Sequence, residues 1–162
     1  MDDGRYDENG LDRADRAILR ELAADGRISM TELARRAGLS KTPVLARVKR
    51  LEKAGFIQGY GARLNWAKMG RGRVTFVEVR LSDTREPALK AFRDAAMAAP
   101  AIVECHMIAG AFDYLLKVRT RDIDEYRRVM GEVVSAMPHV SSTSTHVVME
   151  QVKDEIGPGG PE

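Results

Sequence analysis

From residue 12 to residue 55 the apolar residues recur at the three-and-four spacing of helices, and from residue 74 they switch to alternation. Ile18, Leu19 and Leu22 predict the inner stripe of a first helix, capped by Asp12 and running to about Asp25. Ser29-x-x-Glu32 reads as a capping box that opens a short second helix, with Leu33, Ala34 and Ala37 inside. Gly38 ends that helix because glycine takes the left-handed conformation cheaply. Ser40 is placed to cap a third helix, and Pro43 fits only in its first turn, where the missing donor is no loss. Val44, Val48 and Leu51 form the buried face of this helix, and Gly55 closes it.

The opposite face of the third helix carries Thr42, Ala46, Lys49, Arg50 and Lys53, with Lys41 and Arg47 on its flanks. Two short helices joined by a tight turn, the second basic outside, have helix-turn-helix spacing. Such a second helix fits the major groove, where lysine and arginine reach guanine edges and phosphates. The following FIQGYGARLN is short, aromatic and glycine-rich and is expected as a small β wing or a linker hairpin, the wing placing Arg63 near the backbone. WAKMGRGR marks a domain boundary.

Alternation then predicts strands at VTFVEVRL, IVECHMIA and DYLLKV, with a long last strand at VSSTSTHVVMEQV. Helices are predicted over 83–99, with Leu89, Phe92 and Ala96 inside, and from Asp122 to Pro138. The order is β-α-β-β-α-β, a ferredoxin-like arrangement. Helices on one face of four strands leave the other face uncovered, so at least a homodimer is expected. The fold class is therefore α+β: an N-terminal three-helix winged helix-turn-helix domain (11–62), a linker (63–73) and a C-terminal ferredoxin-like βαββαβ domain (74–153). Disordered tails are expected over 1–10 and 154–162.

Net charge is only +2, but it is unevenly distributed. Residues 1–26 hold 4 basic and 8 acidic side chains, residues 27–73 hold 12 and 2, and residues 74–162 hold 10 and 14. A focused basic segment between acidic flanks suggests a polyanion partner. The single cysteine, Cys105, excludes an intrachain disulfide and a cysteine zinc cluster, and it is expected in the core. His106 is expected as a half-buried structural residue, and Met130, Met137 and Met149 as packing. His106, His139 and His146 have no metal-site spacing, so neither metal nor cofactor is expected. No apolar run approaches the ~18 residues of a membrane span, and MDDGRYDENG is unlike a signal peptide, so a cytoplasmic location without membrane partners is expected.

LDRADRAILRELAADGRIS, GLSKTPVLARVKRLEKAGFIQGY, ECHMIAGAFDYLLKV and THVVMEQVK together resemble, in order, segments of the leucine-responsive/asparagine-synthesis (Lrp/AsnC) regulator family, over about residues 11–153. The resemblance implies a DNA-binding head and a C-terminal ligand-sensing domain. It also implies dimers that often assemble into octamers, and an amino-acid effector, leucine or proline among the candidates, acting on amino-acid metabolic genes. Carried over by matching residues, the DNA contacts are Ser40, Lys41, Thr42, Arg47, Lys49 and Arg50. The effector loop is Gly110 to Tyr114: Gly110 admits backbone donors to a carboxylate and Asp113 holds the ammonium. Thr143 and Thr145 add hydroxyl contacts from a neighbouring subunit. The family often has proline where Lys41 stands and aspartate where Ala111 stands, so both the first-turn contact and the ligand response are open to difference.

The expected function is a sequence-specific transcription regulator modulated by an amino acid. The alternative is an architectural DNA-compacting protein with little sequence preference. An enzyme is not expected, since no Ser/His/Asp or Cys/His constellation, phosphate-binding glycine loop or carboxylate cluster is present.

Overall fold

A computed structural model describes residues 7–153, and these divide into two compact units, one ending at Arg63 and the other running from Leu64 to Val152. The expected tail over 154–162 and the first six residues of the other lie outside the described residues. Residues 7–10, expected in that tail, instead form a turn: the Asp7 carboxylate accepts from the amides of Asn9 and Leu11 and pairs with Arg16.

The first unit holds α1 (Arg13–Ala24), α2 (Met30–Arg36) and α3 (Lys41–Lys53). Ile18, Leu33, Val44 and Leu51 are fully buried at its centre, with Leu22, Ala34 and Val48 around them. Each large aliphatic side chain so buried contributes roughly 1.5–3 kcal/mol. Gly38 and Gly55 take φ of +68° and +79°, the left-handed conformation that ends α2 and α3.

Three local expectations are corrected. Ser29 accepts from the Glu32 amide at 3.2 Å, but Glu32 does not reach back, because Arg35 and Arg36 engage its carboxylate. Ser40 makes no side-chain cap bond. No strand forms between residues 57 and 65, so the wing is not a β element; the segment is tied back to α3 by the Tyr60 hydroxyl, which donates to Glu52 at 2.9 Å.

The second unit holds β1 (Arg73–Leu81), α4 (Glu86–Ala98), β2 (Ile102–Met107), β3 (Tyr114–Thr120), α5 (Ile123–Arg128), which continues as a π-helical segment over Val129–Val134, and β4 (Val140–Val147). The antiparallel sheet has the order β2-β3-β1-β4, as the split βαβ pattern requires. Val77, Val79 and Leu81 join Tyr114, Leu116 and Val118 beneath Leu89, Phe92 and Ala96 of α4. Phe92 and Tyr114 stack at 4.5 Å between ring centroids. Residues expected as linker belong to this unit: Arg119 lies over the Trp66 ring at 5.4 Å, and Arg71 reaches Glu125 at 3.4 Å.

Cys105 is exposed rather than core. It shares a face with Leu116, but β2 is an edge strand and its helix-side residues are incompletely covered. His106 is likewise exposed, and Met149 is 95 % exposed, whereas Met137 is buried.

Phe92→Ala removes the largest apolar contact between α4 and the sheet, and about 3–4 kcal/mol of stability should go with it. Chemical denaturation followed by the fluorescence of Trp66, the sole tryptophan, should show that loss in the second unit.

Candidate nucleic-acid interface and effector loop

The outer face of α3 presents Lys41, Thr42, Ala46, Lys49 and Lys53, all exposed. None of the three lysines has an ion pair among the described residues. Ser40, at the start of the helix, is exposed as well. This face is free to meet phosphates and base edges.

Arg47 and Arg50 are placed differently. Asp12 and Asp15 form a reciprocal capping box at the start of α1: the Asp15 amide donates to Asp12 at 2.8 Å, and the Asp12 amide donates to Asp15 at 3.1 Å. Arg47 Nη1 then reaches Asp12 Oδ2 and Asp15 Oδ1, each at 2.7 Å. Arg50 Nη2 donates to Asp15 Oδ2. Asp15 has no solvent-accessible surface, and both its oxygens are occupied. Burial pushes its carboxyl up, but hydrogen bonds from Arg50, the Asp12 amide and Arg47 outweigh that effect and hold it below the usual carboxylate range. Arg47 and Arg50 are held above the usual arginine range, chiefly by their hydrogen bonds to Asp15.

A similar knot ties α2 to α1. Arg36 bonds Glu32 at 2.8 Å and Glu21 at 3.0 Å, while Arg35 bonds Glu32 at 2.6 Å. Arg35 and Arg36 hold the Glu32 carboxyl down at about 2. Of the eight cations between residues 27 and 53, four are therefore paired with acidic residues of α1 and α2. The role of Asp15 escaped sequence reasoning; its only local signal was the Asp12-x-x-Asp15 spacing of a capping box.

In the second unit the loop from Gly110 leads into β3. Gly110 and Ala111 are exposed, and Asp113 is half-buried. The Asp113 amide donates to Val79 O at 2.9 Å, and Leu81 N–H donates to Asp113 Oδ2 at 2.7 Å. Asp113 thus extends the β1–β3 ladder with its side chain, and its Oδ1 makes no hydrogen bond among the described residues. Tyr114 is 2 % exposed, and its hydroxyl has no partner with hydrogen-bond geometry. Tyr114 and Thr143 both pair with Val79, so they occupy one row across the sheet with β1 between them. Thr145 lies one row further on, opposite Val77. Within one chain the loop and the two threonines are therefore not brought into a single cluster.

On the face away from the helices, Lys117 pairs with Glu104 at 2.8 Å and His146 lies 3.1 Å from Glu78. Among the described residues no group of three His, Cys, Asp or Glu side chains could hold a metal, and no helix is long and apolar enough to cross a membrane.

Comparison with known proteins gives two family matches: a winged helix-turn-helix DNA-binding model over residues 11–58 and the Lrp/AsnC ligand binding domain over residues 74–158. A proline dehydrogenase transcriptional activator of Rhodobacter capsulatus is 55 % identical over 148 residues, covering 91 % of this chain and 96 % of that protein. The leucine-responsive regulatory protein of Escherichia coli K12 is 49 % identical over 143 residues, covering 88 % and 87 %. Among solved structures, a Neisseria meningitidis transcriptional regulator in complex with L-Met superposes with a TM-score of 0.85 at 27 % identity, covering 91 % of this chain and 96 % of that one. An AsnC family regulator from Agrobacterium tumefaciens gives 0.85 at 31 % identity with the same coverages.

The buried carboxylate makes a pH prediction. Because the folded-state pKa of Asp15 lies below its ordinary 3.8, its stabilisation is fully present above that value. It is lost as pH falls below 3.8 and through the folded-state value. Asp15→Asn should cost about 2 kcal/mol at pH 7, less than the ~3–5 kcal/mol of a fully buried pair, because Arg50 stays half exposed. The gap between wild-type and Asp15→Asn melting profiles, followed by circular dichroism, should close as the solution is acidified below pH 3.8.

Proposed function

The chain belongs to the Lrp/AsnC family of transcription regulators, and from that premise we propose that it reads specific duplex DNA with α3 and tunes that reading with an amino acid. The observation that carries the DNA half is the unpaired lysine face of α3 on a rigid three-helix base. Lys41 and Lys49 are the phosphate contacts, with Ser40 and Thr42 donating to backbone or base edges in the major groove. Lys41 adds a cation in the first turn of α3. Function through binding rather than turnover, in the cytoplasm, fits this set of residues.

The amino-acid half rests on the Gly110–Tyr114 loop. Its exposed backbone and the unbonded Oδ1 of Asp113 supply donors for a carboxylate and an acceptor for an ammonium, and Tyr114 anchors the loop in the core against Phe92. Thr143 and Thr145 complete the site from a second subunit, which agrees with their separation from the loop within one chain. Dimers form through a second copy docked on the sheet face that the helices leave uncovered; Thr143 and Thr145, paired with the helix-side residues Val79 and Val77, lie on the other face and come from a further copy in the higher assembly. Leucine and proline both stand as candidate effectors.

Two experiments test these halves. Lys41→Ala and Lys49→Ala should each weaken binding to a promoter fragment. Each should also flatten the dependence of log K on log salt by about 0.9, one released counterion per lost phosphate contact. A promoter-to-random affinity ratio well below ~10³ would instead favour the architectural alternative. Thermal-shift screening against the twenty amino acids should raise the melting temperature with the effector alone. Asp113→Asn keeps an acceptor for Leu81 N–H while removing the charge. Loss of the shift in that variant, with fold intact, assigns the carboxylate to the ligand's ammonium; an unchanged shift removes Asp113 from the site.

A further inference from the structure

The sequence places five cations on α3, Lys41, Arg47, Lys49, Arg50 and Lys53, and all five look equally available to DNA. In the fold they separate into two sets. The lysines are exposed and unpaired, whereas the arginines meet on one carboxylate that has no contact with water. Asp15 is the centre of this arrangement. It accepts from Arg47 on Oδ1 and from Arg50 on Oδ2, and Asp12 takes a second bond from Arg47. The four side chains sum to zero charge. Arg47 keeps only 28 % of its side-chain surface exposed, while Arg50 keeps 49 %.

We propose that Asp15 is a positioning residue for DNA reading, and that it also sets how much charge the reading helix offers. It withdraws Arg47 and Arg50 from the phosphate-facing set and uses them to fix the rotation of α3 against α1. Random duplex therefore meets three lysines rather than five cations. Sequence-independent attraction, which depends on the number of neutralised phosphates, is held down while the reading face keeps one orientation. The guanidinium suits this task better than an ammonium, since its planar fork can satisfy carboxylates from more than one donor and stays charged when partly buried.

The reason the clamp stays closed is burial. Opening it would leave a carboxylate at zero exposure without its cationic partners, a cost that an exposed phosphate contact does not offset. Arg50 keeps about half of its side-chain surface in solvent, but its Nη2 is committed to Asp15. Arg47 is held twice over.

The proposal rests on α3 binding DNA, and its test separates the two. The full chain is titrated against a fluorescent duplex of random sequence at several salt concentrations, as wild type, Lys49→Ala, Arg50→Ala, Asp15→Asn, Asp15→Glu and Asp15→Asn with Arg50→Ala. Lys49→Ala should flatten the slope of log K against log salt by about 0.9, the value for one phosphate contact. Arg50→Ala should leave the wild-type slope unchanged. Asp15→Asn should steepen it by about 0.9 as the freed Arg50 guanidinium engages a phosphate while Arg47 stays on Asp12, and adding Arg50→Ala should reverse that change. Asp15→Glu, which keeps the charge, should keep the wild-type slope. A purely packing role for Asp15 would lower melting temperature in both Asp15 variants and move neither slope, and that result overturns the proposal. Arg50→Ala flattening the slope as much as Lys49→Ala also overturns it, and this arm stands even if Asp15→Asn does not fold. A wild-type slope near zero would remove DNA binding itself, and the proposal with it.

Discussion

A carboxylate sealed from water, bonded to two arginines of the next helix but one, holds the reading head in one arrangement. Apolar packing of Ile18, Leu33, Val44 and Leu51 brings α1, α2 and α3 together, but packing is non-directional and tolerates rotation of one helix against another. Asp15 with Arg47 and Arg50 adds direction, because each bond fixes a nitrogen to an oxygen across the α1–α3 interface. The capping box of α1 is part of the same network, so the start of one helix and the orientation of another share a single set of bonds. The unpaired lysines on the far side of α3 owe their common aspect to that constraint.

This changes what the charge map of the chain means. The acidic N-terminal stretch and the basic segment after it are separate in sequence, and a large positive excess seems to belong to the reading head. Folding lays Asp12, Asp15 and Glu21 directly against Arg47, Arg50 and Arg36, and with Arg35 on Glu32 four of the eight cations between residues 27 and 53 are already paired. What remains for a polyanion is a smaller, lysine-based face. Glu32 acts similarly within α2, bonded to Arg35 and Arg36 instead of closing a capping box with Ser29.

Much of the fold was legible because its signals are local. The spacing of Val44, Val48 and Leu51, the left-handed glycines at 38 and 55 and the alternation of Val77, Val79 and Leu81 each depend on a few neighbouring residues. The misses have the opposite character. Arg47 and Arg50 meet Asp15 across 32 and 35 residues, and no periodicity carries that pairing. Cys105 alternates correctly on its strand, yet exposure depends on β2 being an edge, which is a property of the sheet order. A wing or a linker hairpin was expected from aromatic and glycine content, but the Tyr60 hydroxyl bonds back to Glu52 and no ladder forms. Between Gly110 and Tyr114 the sequence showed a turn but not the use of Asp113, whose carboxylate caps the end of β1 through Leu81.

On this reading Arg47 and Arg50 stay on Asp15 while the lysines of α3 meet DNA. Side-chain nitrogen NMR of a selectively labelled protein observes both sets in one sample, free and bound to duplex. Slow-exchanging guanidinium signals for Arg47 and Arg50, unmoved by DNA, are expected together with shifted ammonium signals for Lys41 and Lys49. Guanidinium signals that move on DNA addition and return with salt, beside unmoved lysines, would contradict it.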